Sequence, residues 1–162
     1  MISVLFVCLG NICRSPSGEA VFRALVEQQG LSDHFRIDSA GIIGWHAGEG
    51  ADARMKRHAA RRGYDLTSIS RQVTAEDLRD FDYIIAMDDQ NLRDLKRLDT
   101  TGEYGDKFYK MTDFCRSCTE TVVPDPYYGG AEGFEKVLDL LEDACAGLLD
   151  HIRNRHDLPL ST

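Results

Sequence analysis

The chain is 162 residues long, 43% hydrophobic and 28% charged, with a formal net charge of −8 and an isoelectric point near 5.0. That length suits one globular domain with its own core, expected here over residues 1–162 without repeats, with 157–162 as a frayed tail. The acidic balance excludes a protein whose main work is coating nucleic acid, because neutralising phosphates needs a basic face.

Residues 1–10 are apolar, yet they carry no basic leader and stop at Asn11 and Arg14, which makes them neither a signal peptide nor a membrane span. Five cysteines, an odd number without framework-like spacing, disfavour a disulfide-stapled secreted fold. A reducing cytoplasm is therefore the expected compartment, with no membrane and no nucleic acid among the partners.

Ile2–Val7 is a continuous apolar run and reads as a buried strand. Ser15 and Pro16 then supply an N-cap and a first-turn proline for a helix running to about Gln29. Phe35–Ser39 reads as a second strand, and Ala51–Arg62 as a helix closed by Gly63. The basic run R-M-K-R-H-A-A-R-R at 54–62 reads as a solvated helix face, with substrate or partner docking as the second reading. Thr74-Ala-Glu-Asp opens a short helix by a capping-box pattern, and Tyr83–Met87 is a buried strand bounded by aspartates. Asp89–Leu98 reads as helical and Phe108–Met111 as an edge strand. In Glu132–Ile152 the residues Phe134, Val137, Leu138, Leu141, Cys145, Leu148 and Ile152 keep helical spacing, which puts Cys145 in the core.

Alternating strands and helices imply an α/β fold, a mostly parallel sheet with helices on both faces in three layers. In such sheets ligands bind beyond the carboxyl ends of the strands, at the topological switch point. The loop in that place is C-L-G-N-I-C-R-S, residues 8–15. A chain turning from strand to helix in so few residues points successive N–H groups inward, and the helix start adds its positive dipole end. The cradle wants an anion, and a tetrahedral oxyanion fits best. Gly10 and Asn11 are residue types that tolerate a left-handed backbone. Arg14, six residues after Cys8, can hold two oxygens of the anion with its planar fork. The same amides and Arg14 would stabilise a Cys8 thiolate, making it a nucleophile aimed at a bound phosphate.

V-C-L-G-N-I-C-R-S-P together with D-P-Y-Y-G at 125–129 resembles the low-molecular-weight protein tyrosine phosphatases. D-S-A at 38–40, S-R-Q-V-T-A-E-D at 70–77 and F-D-Y-I-I-A-M-D-D-Q-N-L-R-D-L at 81–95 extend the resemblance over nearly the whole chain. It implies a four-stranded sheet of order 2-1-3-4 with the phosphate-binding loop after strand 1. It also implies hydrolysis of phosphotyrosine by double displacement, with Cys8 as nucleophile, Arg14 and the amides of Leu9, Gly10, Asn11, Ile12, Cys13 and Ser15 holding the phosphoryl group, and Asp125 as general acid and base. Asp125 precedes Pro126, which biases it to extended backbone on a loop.

By the same resemblance Ser15 assists departure of the Cys8 sulfur, Asn11 and Ser39 brace the loop with Ser15, and Trp45, Tyr127 and Tyr128 wall the substrate pocket. Trp45 as partly buried scaffold is the alternative. Ser68 stands where animal members commonly carry a histidine. Cys13, five residues from Cys8, is the expected resolving thiol after oxidation. The expected partners are phosphotyrosine-containing proteins and inorganic phosphate as product and inhibitor, on a monomer or weak dimer. No cofactor or metal is expected: Cys115-x-x-Cys118 is the only metal-like spacing, and no second Cys/His pair matches it.

Rival readings share the fold. Arsenate reductases place two further cysteines after the third strand, where this chain has M-D-D-Q-N-L. Phosphoarginine phosphatases typically carry threonine in place of Ile12 and lack the second tyrosine of D-P-Y-Y. A non-catalytic phosphate-binding module would not need Cys8, Arg14 and Asp125 together. The larger His-Cys-x5-Arg phosphatases place a histidine before the nucleophile and the acid upstream of it, whereas Val7 precedes Cys8 here and Asp125 follows far downstream.

Overall fold

The structure, a computed structural model, describes residues 1–159. Four strands, β1 (Ile2–Cys8), β2 (Phe35–Gly41), β3 (Tyr83–Ala86) and β4 (Phe108–Lys110), form one sheet in the order β2-β1-β3-β4. Every pairing is parallel, with Ile2 opposite Phe35, Val4 opposite Tyr83 and Ile84 opposite Phe108. All seven residues of β1 are buried, as a central strand covered on both faces requires.

The two faces of β1 go to different helices. Val4, Phe6 and Cys8 join a core with α1 (Arg14–Gln28), α2 (Ala53–Ala60) and α5 (Ala131–His156). Leu5 and Val7 join a smaller core with α3 (Ala75–Asp80) and α4 (Asp89–Leu98). The three-layer α/β/α architecture follows from that strict alternation along one strand. α5 carries the apolar stripe read from its sequence, and Cys145 is fully buried within it.

Three expectations shift. α1 begins at Arg14 with Cys13 as its backbone N-cap, so Ser15 and Pro16 lie inside the first turn and no side chain caps the helix. Proline is tolerated there because first-turn N–H groups have no intrahelical partner. The basic run is not a uniformly solvated face: Met55 and Ala59 are core, while Arg62 pairs with Glu135, Asp139 and Glu142 of α5. The odd count of five cysteines did not anticipate a disulfide, yet Cys115 and Cys118 are bonded to each other. At the chain end, Asp157 adopts φ 50° after α5, Leu158 packs on the core, and Arg153 donates to the Pro159 carbonyl at 3.0 Å. Residues 160–162 of the expected tail lie outside the described residues. No helix among the described residues is long and apolar enough to cross a membrane.

Candidate active site

The loop from Cys8 to Arg14 joins the carboxyl end of β1 to the start of α1. Its carbonyls are bonded from behind. The Cys8 and Leu9 oxygens accept from Ile42 and Ile43 amides at 2.9 and 3.0 Å, and the Ile12 oxygen accepts from the Asp52 amide at 2.8 Å. The Gly10 and Cys13 oxygens accept from the Ser70 and Ser17 hydroxyls at 3.0 and 2.7 Å. Among the described residues the N–H groups of Leu9 to Ser15 donate to no protein acceptor. With the carbonyls turned outward, those N–H groups face the concavity above Cys8 and make it a site for an anion.

Asn11 supplies the left-handed turn, with φ 57°. Gly10 does not share it. A side chain at Gly10 would instead press on His46, whose Cδ2 lies 3.1 Å from the position a Cβ would take. The Asn11 amide donates to Ser15 Oγ at 2.8 Å and Ser39 Oγ at 3.0 Å, and its own oxygen accepts from the Arg71 amide at 3.1 Å. Ser39 in turn donates to Glu19 at 2.6 Å. Asn11 and Ser15 are wholly buried and do not line the cleft, so their side chains brace the loop from below. Ser15 Oγ stands 3.1 Å from Cys8 Sγ, a role that explains why it does not cap α1.

Arg14 is nearly inaccessible to solvent and held from two sides. Its Nη1 donates to Asp88 Oδ2 at 2.7 Å and to the Val123 carbonyl at 3.1 Å. Its Nη2 faces Asp125 at 3.6 Å. Burial opposes its charge, but Cys8, Asp88 and Asp125 beside it hold the pKa above the ordinary guanidinium value. Asp125 is oriented locally, its Oδ1 accepting from the Tyr127 amide at 3.1 Å across Pro126. Burial, and after it the negative charge of Asp52, pushes the Cys13 thiol well above its ordinary range.

One cleft brings together Cys8, Leu9, Gly10, Ile12, Cys13, Arg14, Trp45, Asp125, Tyr127 and Tyr128. Trp45 is 85% exposed and Tyr128 92% exposed, so Trp45 stands in solvent at the cleft's edge and is not packed into the protein. The cleft also includes Ile43 and His46, which the sequence reading did not single out. The His46 and Tyr127 rings face each other with centroids 6.4 Å apart. His46 is fixed by Glu49, 2.6 Å from its Nδ1.

Arg54, the first residue of the basic run, was also missed as a site residue. It donates to the Tyr127 carbonyl at 3.0 Å and lies over the Tyr127 ring at 5.3 Å, and Asp52 binds it in turn. Asp88 was visible only as an aspartate bounding a buried strand. It caps α4 by accepting from the Asn91 amide at 2.8 Å, and the same carboxylate reaches Arg14. Ser68 has a buried hydroxyl without a protein partner among the described residues.

The model of the low molecular weight phosphotyrosine protein phosphatase family matches residues 3–158. The chain belongs to this family. It is 45% identical over 148 residues to a putative low molecular weight protein-tyrosine-phosphatase of Synechocystis, covering 91% of this chain and 94% of that one. A crystal structure of a protein tyrosine phosphatase from Entamoeba histolytica, with Hepes in its active site, superposes with a TM-score of 0.92 at 47% identity, covering 96% and 99% of the two chains. A Drosophila arginine phosphatase superposes with a TM-score of 0.86 at 33% identity, covering 93% and 97%. Within the family's fold, the cradle, Arg14 and Asp125 are the parts the sequence already picked out. The bracing through Asp88, Arg54 and Glu19 is what this chain's structure adds.

Proposed function

We propose that the protein hydrolyses phosphotyrosine in protein substrates through a phosphocysteine intermediate, as a single domain acting alone or as a weak dimer. The observation that carries the proposal is the cradle above Cys8: the carbonyls of Cys8, Leu9, Gly10, Ile12 and Cys13 are engaged from outside, and Arg14 and Asp125 converge on its rim.

In this reading the Cys8 thiolate attacks phosphorus while the bond to the phenolic oxygen breaks. The inward amides and Arg14 hold the three equatorial oxygens. Asp125 gives its proton to the departing phenolate, then takes one from the water that attacks the phosphocysteine and releases inorganic phosphate. The Ser15 hydroxyl, 3.1 Å from Cys8 Sγ, stabilises the sulfur as it leaves. Trp45 and Tyr128 flank the aryl ring, and Tyr127 is held in place by Arg54. Inorganic phosphate, the product, competes for the same cradle.

The phosphoarginine reading rests on the likeness to the Drosophila arginine phosphatase. Ile12 and the second tyrosine, Tyr128, favour the aryl substrate, because both offer apolar surface to a phenyl ring and neither brings a carboxylate that would pair with a guanidinium. The arsenate reductase reading loses its relay: Met87–Leu92 contains no cysteine, and neither Cys115 nor Cys118 lines the cleft. Steady-state assays on peptides carrying phosphotyrosine, phosphoserine or phosphoarginine test the assignment. The aryl ester should be preferred, and a higher kcat/KM on phosphoarginine would replace it.

Cys13 is proposed as the thiol that captures a Cys8 sulfenic acid. Its raised pKa makes this capture slow at neutral pH and faster in alkali. After peroxide and then dithiothreitol, wild type should recover activity and Cys13→Ser should not; equal recovery would leave Cys13 a packing residue.

A further inference from the structure

The segment from Met111 to Cys118 lies on α5, outside the cleft. Cys115 and Cys118 are bonded within it, their Cα atoms 5.4 Å apart, in the middle of the ordinary range of about 4.4–6.8 Å. The amides of Arg116, Ser117 and Cys118 all donate to one oxygen of Asp143, at 3.1, 3.0 and 3.0 Å. Those three bonds fold residues 115–118 into a closed turn. They involve neither sulfur, so parting the sulfurs breaks none of them directly. Gly147 lets this segment lie directly on the helix, since a side chain there would collide with the Phe114 carbonyl. Arg116 fastens the other side by pairing with Asp150 and donating to the Ala146 carbonyl at 3.3 Å.

We propose that Cys115 and Cys118 are a reversible dithiol–disulfide site, distinct from the Cys8 cleft, that exchanges two electrons with uncharged or cationic dithiol reductants. Cys115 packs on the core while Cys118 borders a surface cleft with Ser117, Glu120, Lys136, Asp139 and Asp143. Cys118 is therefore the sulfur open to attack. A reductant thiolate bonds to Cys118 Sγ as the Cys115–Cys118 bond breaks, and the electron pair leaves on Cys115, which takes up a proton. The reductant's second thiol then displaces Cys118 as a thiol and leaves as its own disulfide. The preformed turn holds the two thiols together, so re-oxidation is favoured.

The carboxylate decides both the poise and the partner. The Asp143 oxygen lies within 4.8 Å of both sulfurs, and the Ser117 amide foremost, with those of Cys118 and Arg116, holds Asp143 below the usual carboxylate range. A fixed negative charge beside the sulfurs opposes thiolate formation and so favours the disulfide in alkali, where an ordinary dithiol would ionise. Glu120, Asp139 and Glu142 add negative charge to the approach; Lys136 pairs with Glu120 at 3.5 Å and Arg62 with Asp139 and Glu142 at 2.9 and 2.6 Å, and with Asp143 the carboxylates still outnumber the cations. An anionic thiol is repelled on that path. The same three cysteine and carboxylate groups could also be taken for a metal site. The turn's amides, however, go to the carboxylate oxygen, where a zinc turn would direct them at sulfur, and the ligand oxygen is already in full use.

The test uses the whole wild-type protein in buffers of reduced and oxidised dithiothreitol, read by differential alkylation and peptide mapping. Cys115 and Cys118 should titrate together while Cys145 stays reduced throughout. In alkaline buffer Asp143→Asn should need less reduced dithiothreitol for half-reduction than wild type, and the difference should fade towards neutral pH. On the wild type, glutathione should reduce the pair more slowly than dithiothreitol at matched thiolate concentration, and the gap should narrow with added salt. Two free thiols at every ratio, or one equivalent of zinc retained with both thiols protected, would overturn the redox site. Glutathione acting as fast as dithiothreitol at low salt would overturn the assigned reductant class. None of these readings depends on Cys8 chemistry.

Discussion

Arg14, itself buried, and the partly exposed Asp88 form a hydrogen-bonded ion pair, 2.7 Å from Nη1 to Oδ2, that ties the start of α1 to the start of α4. A guanidinium that must meet an anion with one edge is held by a carboxylate on another, so its plane is set before substrate arrives.

Asp88→Asn keeps the shape and the cap while removing the charge. A charge-assisted hydrogen bond contributes about 1.5–3 kcal/mol, so kcat/KM on an aryl phosphate should fall roughly tenfold or more. The loss should appear in both phosphate affinity and turnover. Unchanged phosphate inhibition with lowered kcat would locate the effect elsewhere.

Asp125→Asn removes the proton donor while leaving the Pro126 turn. Hydrolysis of phenyl phosphate should slow by roughly 10²–10⁴, the usual contribution of proton transfer. The loss should shrink for leaving groups of low pKa, which depart without a proton. A loss independent of the leaving group would make Asp125 a residue that positions Arg14, 3.6 Å away.

Trp45, exposed at the cleft's edge, can contribute only through a ligand stacked on it. An aromatic contact of about 0.5–1.5 kcal/mol predicts a roughly 2- to 10-fold rise in KM for phosphotyrosine in Trp45→Ala. Inhibition by inorganic phosphate and the melting temperature should not move. A stability loss would mean that the indole packs on the protein after all.

Acid should loosen the loop bracing from behind. Asp77 binds Arg71 at 2.8 Å, and the Arg71 amide donates to Asn11 under the cradle. Burial acts to raise the Asp77 pKa, but hydrogen bonds from Arg71 and the Thr74 amide outweigh it and leave it lowered. A lowered folded-state value means that the stabilisation is fully present above the unfolded carboxylate pKa of about 3.9 and fades as pH falls through the folded value. Denaturation midpoints of wild type and Asp77→Asn should differ near neutrality and converge in acid. A constant gap down to the lowest pH would contradict the linkage.

The parts legible in the sequence were those set by local pattern. β1 reads as a buried strand because its two faces meet two helix layers, and α4 reads correctly to the residue because its N-cap and amphipathic spacing are both local. The strand order and the role expected of Asp125 came from resemblance, whereas Arg14 was read from the loop itself. What stayed hidden depends on contacts far apart in the chain. Arg14 with Asp88 spans 74 positions and Arg54 with Tyr127 spans 73. Neither pairing leaves a mark in the local sequence. Ser15 misled for a related reason: a serine before a proline is a good cap, and only the third dimension shows its hydroxyl taken by Asn11 and Cys8. The basic run misled because Met55 and Ala59 within it are core and because Arg54 and Arg62 find partners on other segments.

The phosphocysteine itself is the most direct test of the account. A phosphotyrosine peptide mixed with Asp125→Ala, quenched in acid within one turnover and mapped by mass spectrometry, should carry one phosphoryl group on Cys8 and none on Cys13 or Cys145. An acid-trapped phosphoryl group on any other residue, or burst release of the phenol with Cys8 left unmodified, would contradict it.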